Sequence, residues 1–424
     1  MLRIVVVLAA LSGFAAAQPA LKVIRAARML DPKTGQYLQR PSIVISGDRI
    51  KAVEFGDKVV AGAEIIDFGS LTLLPGLIDC HSHLLSEFDP AAGGEGASAI
   101  LTLARLSTAH RALLGAKLAR EALEMGVTTV RDLGNSGRNG DVALRDAIKS
   151  GWVVGPRMVV STRAISPLFT LFRGLPPQAQ SLVDSEEFAF ASGPDEVRKA
   201  VRQAVSDGAD CIKIYVSLFG GVLSPEEVKV ATDEAHRAGK RIAAHAVGDP
   251  AAKAAVDAGV DSIEHGYFIA EATLKSMAEK RIFLVLTEPD MESDDIWKSA
   301  SGMTPDEVER MRKRRYGRVE QALKAGVRVA FGSDAYTRNP TWSRGMAALS
   351  GLMSYSQAGM PPIEVIRSAT VNAAELLGLQ KQIGSLEAGK LADIIGFAGD
   401  PLVDTAELLR ARFVMKGGAV IRRP

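Results

Sequence analysis

Histidine is scarce in this chain and unevenly placed. Of the 6 histidines, His81, His83, His245 and His265 stand at the C-terminal ends of apolar, strand-like runs. His81 and His83 are two residues apart, so on an extended strand their side chains share a face. Imidazole is the commonest protein ligand for zinc-like cations, and two on one face make the start of a metal site. Asp334 closes another apolar run, in FGSD. A carboxylate there can ligate a metal and accept a proton from metal-bound water. Singly, each residue has a plainer reading. A strand-end histidine is commonly a hydrogen-bonded structural residue, and an aspartate before a loop commonly caps a helix. Their joint placement at strand ends is a much rarer coincidence.

Lys213 lies inside the apolar run CIKIY, where a charged amine is costly to bury. Either it pairs with a carboxylate, or its amine is neutralised as the carbamate formed with carbon dioxide. The two oxygens of that adduct can bridge two metals, and a buried lysine shifts its pKa readily. The remaining histidines read as structural: His110 begins a helix, and His236 lies in the last turn of another, where a cation is favourable.

The elements that must position these residues alternate. Eight strand-like runs, LIDCH (77–81), VTTVRD (127–132), RMVVS (157–161), CIKIY (211–215), RIAAH (241–245), DSIEH (261–265), IFLVLT (282–287) and VRVAFGSD (327–334), are separated by amphipathic helical stretches. Ser224-Pro225-Glu226-Glu227 is a capping box that opens a helix running to Ala238, with Gly239 as its stop; Asp249-Pro250 opens another ending near Gly259. Such alternation predicts an α/β fold with a parallel sheet. Eight units over this length predict a (β/α)8 barrel, with an open doubly wound sheet as the competing arrangement. In a barrel the site forms at the C-terminal strand ends, where the histidines and Asp334 lie. The connections 86–108 and 162–192 are long enough to shape a pocket or act as lids.

Both chain ends have a different texture, short strands broken by turns such as Asp31-Pro32 and Gly47-Asp48, and they are expected to form one small β-sandwich together. The expected organisation is a signal peptide over 1–17, sandwich segments at 18–74 and 379–424, and the barrel at 75–378. The signal peptide rests on Arg3, the apolar stretch Ile4 to Ala10, and Ala15-Ala16-Ala17 before Gln18. The apolar run is short for a bilayer span, so export to the periplasm or beyond is expected. With 51 basic against 49 acidic residues, net +2, the charge gives no support to a nucleic-acid partner. One basic run, Arg310 to Arg318, reads as a solvated helix face. Export permits a disulfide. Strand alternation nevertheless puts Cys80 on the face opposite His81 and Cys211 on the face of Lys213, so two buried free thiols are expected.

Taken together, LTLLPGLIDCHSHL, GVTTVRDLG, CIKIY, AAHAVG, DSIEHG, GSD and GSLEAGKLADIIGF resemble the amidohydrolase superfamily, over about residues 22 to 420. Within it, the chain resembles the imidazolonepropionase-like, metal-dependent Xaa-dipeptidase branch, which includes ochratoxin-hydrolysing members. The resemblance implies two divalent ions, zinc by default of ligand type. It implies that His81 and His83 bind one ion with Asp334, that carboxylated Lys213 bridges to a second, and that His245 and His265 hold that second ion. It further implies that a hydroxide between the ions attacks an amide carbonyl while Asp334 carries the proton to the leaving amine. Tyr215 matches a tyrosine that grips a substrate's C-terminal carboxylate. A packed barrel tyrosine is the plainer alternative.

One departure bears on substrate. Many relatives carry a Gly-Gly-His segment after the third strand. Here the stretch reads STRAISPLFTLFRGLPP, with no histidine, and Phe169, Leu171 and Phe172 are expected to make a more apolar pocket there, suited to N-acyl or aromatic amino-acid amides. The expected activity is cleavage of the amide bond to a C-terminal amino acid, in dipeptides or N-acyl amino acids. The alternative is hydrolysis of cyclic amides. A non-catalytic scaffold would have lost ligands that this chain keeps, and deaminases of the superfamily typically bind one metal and lack the lysine. The resemblance also implies a homo-oligomer.

Overall fold

A computed structural model describes residues 21–58, 60–89, 95–167, 176–218, 221–288 and 304–424. The expected signal peptide and the residues Phe169, Leu171 and Phe172 lie outside these described residues.

The two chain ends meet in a six-stranded sheet. Its order is Ala419–Arg422, Phe413–Lys416, Ile394–Phe397, Thr72–Pro75, Arg28–Asp31, Gln36–Gln39. The junction is the antiparallel pair Ile395↔Leu74. A four-stranded sheet of N-terminal strands shares an apolar cluster with it: Ile24, Ile43 and Ile45 meet Leu73, Ile394 and Phe413. The next residue along each of these last three strands, Leu74, Ile395 and Val414, belongs instead to the main core of the molecule. Successive side chains on a strand point to opposite faces. The six-stranded sheet is therefore buried on both faces and joins the β unit to the rest.

All eight expected runs contain a strand, and neighbouring strands within each sheet are parallel. They are Leu77–Ser82, Val127–Asp132, Arg157–Val160, Cys211–Tyr215, Arg241–Ala246, Ser262–His265, Phe283–Val285 and Val329–Ala330. The first three form one sheet. The last five form another, which the short strands Ala164–Ser166 and Phe188–Phe190 extend beside Cys211–Tyr215. Among the eight main strands, order follows chain order within each sheet, without the reversal that defines a doubly wound sheet; the short strand Phe188–Phe190 alone lies out of turn, outside Ala164–Ser166. Backbone bonds join the two sheets at two places: Cys80 N–H donates to Phe331 O just past strand Val329–Ala330 (2.8 Å), and Asp210 N–H, just before strand Cys211–Tyr215, donates to Val160 O (2.7 Å).

The connecting helices follow their end signals. Ser224 and Glu227 form the reciprocal cap of helix Pro225–Arg237, and helix Asp249–Ala258 stops at Gly259, whose φ of 81° favours a residue without a Cβ. Cys80 and Cys211 are buried free thiols, the former against the carbonyl of Ala373. The basic run departs from expectation. It lies on helix Pro305–Lys324 but is not a solvated face throughout, because Arg318 is buried with Val319 and Ala322. Nine helical residues make more than two turns, so some of the run must face inward.

Candidate metal centre

The first parallel strand delivers His81 and His83 to one face at its C-terminal end, and both are buried. Asp334 follows the last strand. Its N–H donates to His81 O (2.8 Å), which fixes the aspartate beside the pair. Gly332 permits that approach, since a Cβ there would lie 2.6 Å from the His81 Cβ and 2.4 Å from Val285. The Asp334 Oδ1 is 3.6 Å from His81 Nε2 and 3.1 Å from His83 Nε2. Potential ligand atoms of these three residues lie within 4.8 Å of one another.

His265 ends the sixth strand and His245 lies near the end of the fifth. Their rings are 4.3 Å apart, and His265 is 5.0 Å from the His81 ring. Tyr215 packs on His245 at 4.7 Å. A cavity of about 250 Å³ is lined by His81, His83, Tyr215, His245, His265 and Asp334. Lys213 does not line it. It is buried, with Nζ 5.3 Å from the Tyr215 ring centroid, and its charge acts on His81, His245 and His265.

The outer nitrogens of three imidazoles are already committed. His83 Nδ1 is 2.8 Å from Gly134 O, which can only accept, so this nitrogen carries the proton. His81 Nδ1 is 2.7 Å from Glu264 Oε2, and His265 Nδ1 is 2.8 Å from Thr287 Oγ1. The Gly134 and Glu264 acceptors leave the Nε2 lone pairs of His83 and His81 for the cavity, the arrangement by which outer partners orient metal-binding histidines, and Thr287 Oγ1, which can donate or accept, holds the His265 ring. Four neighbouring imidazoles, two of them with Nε2 free, and a carboxylate form a donor set that suits divalent cations.

Burial pushes His81, His245 and His265 well below the ordinary histidine range, so they are neutral near pH 7. Burial also pulls His83 down, but its hydrogen bond and attraction to Asp334 outweigh this and raise it. For Lys213, burial dominates the opposing pull of Glu264 and Asp334 and lowers it to about 8. At pH 7 about a tenth of the amine is then uncharged, far more than for an ordinary lysine.

Sequence reasoning missed Glu264, Arg131 and Thr287. Glu264 is completely buried. Its Oε1 pairs with Arg131 Nη2 at 2.7 Å, and Arg131 also donates to Cys80 O and Ser262 Oγ. The signal was available, since both charges interrupt strand-like runs (DSIEH and VTTVRD) just as Lys213 interrupts CIKIY. Thr287 carried none, because its role depends on a φ of 50° that its sequence does not announce. His265 (66°) and Asp334 (51°) share that left-handed conformation. It costs non-glycine residues about 1–3 kcal/mol each and persists only where the surroundings impose it. His110 and His236 stand apart. The first donates its backbone N–H to the helix cap Ser107 Oγ, and His236 Nε2 lies 2.9 Å from Asp261.

A model of the Amidohydrolase family matches residues 72–421. An ochratoxinase from Aspergillus niger is 31% identical over 94% of this chain and 86% of its own length. Among solved structures, a Xaa-Pro dipeptidase with bound methionine in the active site superposes with a TM-score of 0.81 at 30% identity, covering 94% of this chain and 99% of that one. A prolidase complexed with N-methylphosphonate-L-proline gives 0.82 at 27% identity, over 95% and 100% of the two chains.

Proposed function

The chain belongs to the amidohydrolase family, and from that premise we propose that it cleaves the amide bond to a C-terminal amino acid, in dipeptides or N-acyl amino acids, with two divalent metal ions. That it is a hydrolase of amide bonds follows from the family and its enzyme members. The finer reading is carried by one observation: the ends of four parallel strands bring His81, His83, His245, His265 and Asp334 to one cavity. In this reading the eight strands close into a (β/α)8 barrel above a β-sandwich of both chain ends, with boundaries near residues 75 and 378.

His81, His83 and Asp334 would hold one ion and His245 and His265 the second, with Lys213 as its carbamate between them. Zinc is the default by ligand type. The bound ions supply an acidic water and polarise the carbonyl. Glu264 and Gly134 O hold His81 and His83 with Nε2 toward the cavity, and Thr287 positions the His265 ring. Asp334 is the group placed to take a proton and return it to the leaving amine, because its carboxylate borders the cavity beside His83 and His265. Tyr215, on the cavity wall, would receive the substrate's free carboxylate. The similar chains named above are described as an ochratoxinase, a Xaa-Pro dipeptidase and a prolidase, and all fit an amide-bond substrate. The protein is proposed to act outside the cytoplasm after removal of residues 1–17, as a homo-oligomer.

The test is a panel assay of the zinc-supplemented protein with dipeptides, N-acyl and N-aroyl amino acids, their C-terminal amides, and cyclic amides. Cleavage of the free acids with loss on amidation is expected. Cleavage of ring amides alone would transfer the assignment to a cyclic-amide hydrolase.

A further inference from the structure

A buried ion pair that takes no part in the proposed chemistry lines the same cavity. Arg111 lies on helix Thr108–Glu124, and Glu187 caps the end of helix Pro177–Glu186. They are 2% and 7% exposed. Every nitrogen of Arg111 has a partner: Nε donates to Leu85 O, Nη1 to Glu187 Oε1 and Nη2 to Asn135 O. Glu187 is not. Its Oε2 is buried and has no hydrogen-bond partner among the described residues.

A buried acceptor without a partner costs about 1–3 kcal/mol, which a ligand donor placed against it recovers. The charge of that donor follows from the pair. Arg111 and Glu187 neutralise each other, so an uncharged donor completes the site, whereas an ammonium would leave a buried charge without compensation. We propose that Arg111 and Glu187 form a substrate subsite that takes an uncharged N–H or O–H donor. The inference rests on the amide-hydrolase reading and narrows it toward N-acylated or hydroxyl-bearing substrates over free dipeptides.

Two matched series test it on the metal-loaded enzyme. The first is N-acetylglycyl-phenylalanine, its N-methyl analogue N-acetylsarcosyl-phenylalanine, and glycyl-phenylalanine. The second is N-acetyl-tyrosine and its O-methyl ether. In at least one series the donor compound should exceed its methylated analogue about tenfold or more in kcat/KM, mainly through KM. Glycyl-phenylalanine should be poorer than its acetylated form. In Glu187→Gln the amide oxygen can face Arg111 and its NH2 the cavity, so the preference should vanish or invert. A wild-type ratio within about twofold in both series would overturn the subsite, and this comparison needs no variant. A methyl penalty that persists unchanged in Glu187→Gln would assign the effect to bulk and overturn it too. Cleavage of none of the compounds would bring down the reading as a hydrolase of C-terminal amino-acid amides, and the subsite with it.

Discussion

His81 Nδ1 and Glu264 Oε2 lie 2.7 Å apart in the buried interior, and the other oxygen of Glu264 is held by Arg131. One carboxylate thus orients a candidate ligand and balances a buried guanidinium. Glu264→Gln keeps the shape and removes the charge. Loss of such an outer partner typically weakens metal affinity about 10–100-fold. Competition with a chromophoric chelator measures it. Wild-type affinity in the variant would show that the contact does not support metal binding.

Lys213 makes the second prediction. Lys213→Ala should remove one or both ions and nearly all turnover, read by elemental analysis of the purified variant alongside the assay. A variant that kept two ions and full activity would refute the bridging role. Added short carboxylic acids, which can occupy the vacated space, should restore part of the metal content.

Arg318 reaches inward from helix Pro305–Lys324. It donates to His265 O, to Leu286 O (2.8 Å) and to Glu288, and lies 4.0 Å from the Tyr267 ring centroid. It therefore ties together the backbone at His265 and beside Thr287, the two left-handed positions at neighbouring strand ends. Arg318→Ala leaves buried Glu288 unpaired and should destabilise the fold by about 3–5 kcal/mol. Arg318→Lys should recover only part of this, because an ammonium cannot span the three acceptors as a guanidinium does. Denaturant midpoints measure both. Equal midpoints for Arg318→Ala and wild type would contradict the clamp.

Asp141 is a buried carboxyl that accepts from Val142 N–H and Thr162 N–H (2.8 Å each). Burial, reinforced by Asp132, pushes it from 3.8 up to about 7. Between those values the folded chain binds the proton and the unfolded chain does not. Stability from this group therefore falls as pH rises from about 4 to about 7 and is flat above, by on the order of 4 kcal/mol in all. Asp141→Asn cannot ionise, so its stability should fall less between pH 5 and pH 7. Identical pH slopes for variant and wild type would remove Asp141 as the source.

Local signals carried most of the architecture. The eight runs, the Ser224–Glu227 cap and the stop at Gly259 are short-range patterns, and each reappears in the structure. The joining of the chain ends was legible from texture. Its register, Ile395↔Leu74, was not, because it depends on which face of a doubly buried sheet each residue meets. The histidines and Asp334 could be found because scarce residue types at strand ends stand out. The Glu264–Arg131 pair and the inward Arg318 were overlooked because a charge in a strand or basic run reads as solvated until its partner, more than 100 residues away in the case of Arg131, is in place. Glu187 was illegible for a related reason. Its free oxygen has meaning only beside Arg111 and the cavity.

Restoring zinc to chelator-stripped protein while following release of the amino acid from an N-acyl substrate tests the central claim most directly. The account predicts no release without metal and a rise that breaks at two ions per chain. Full release in the presence of chelator, or saturation at a single ion, would contradict it.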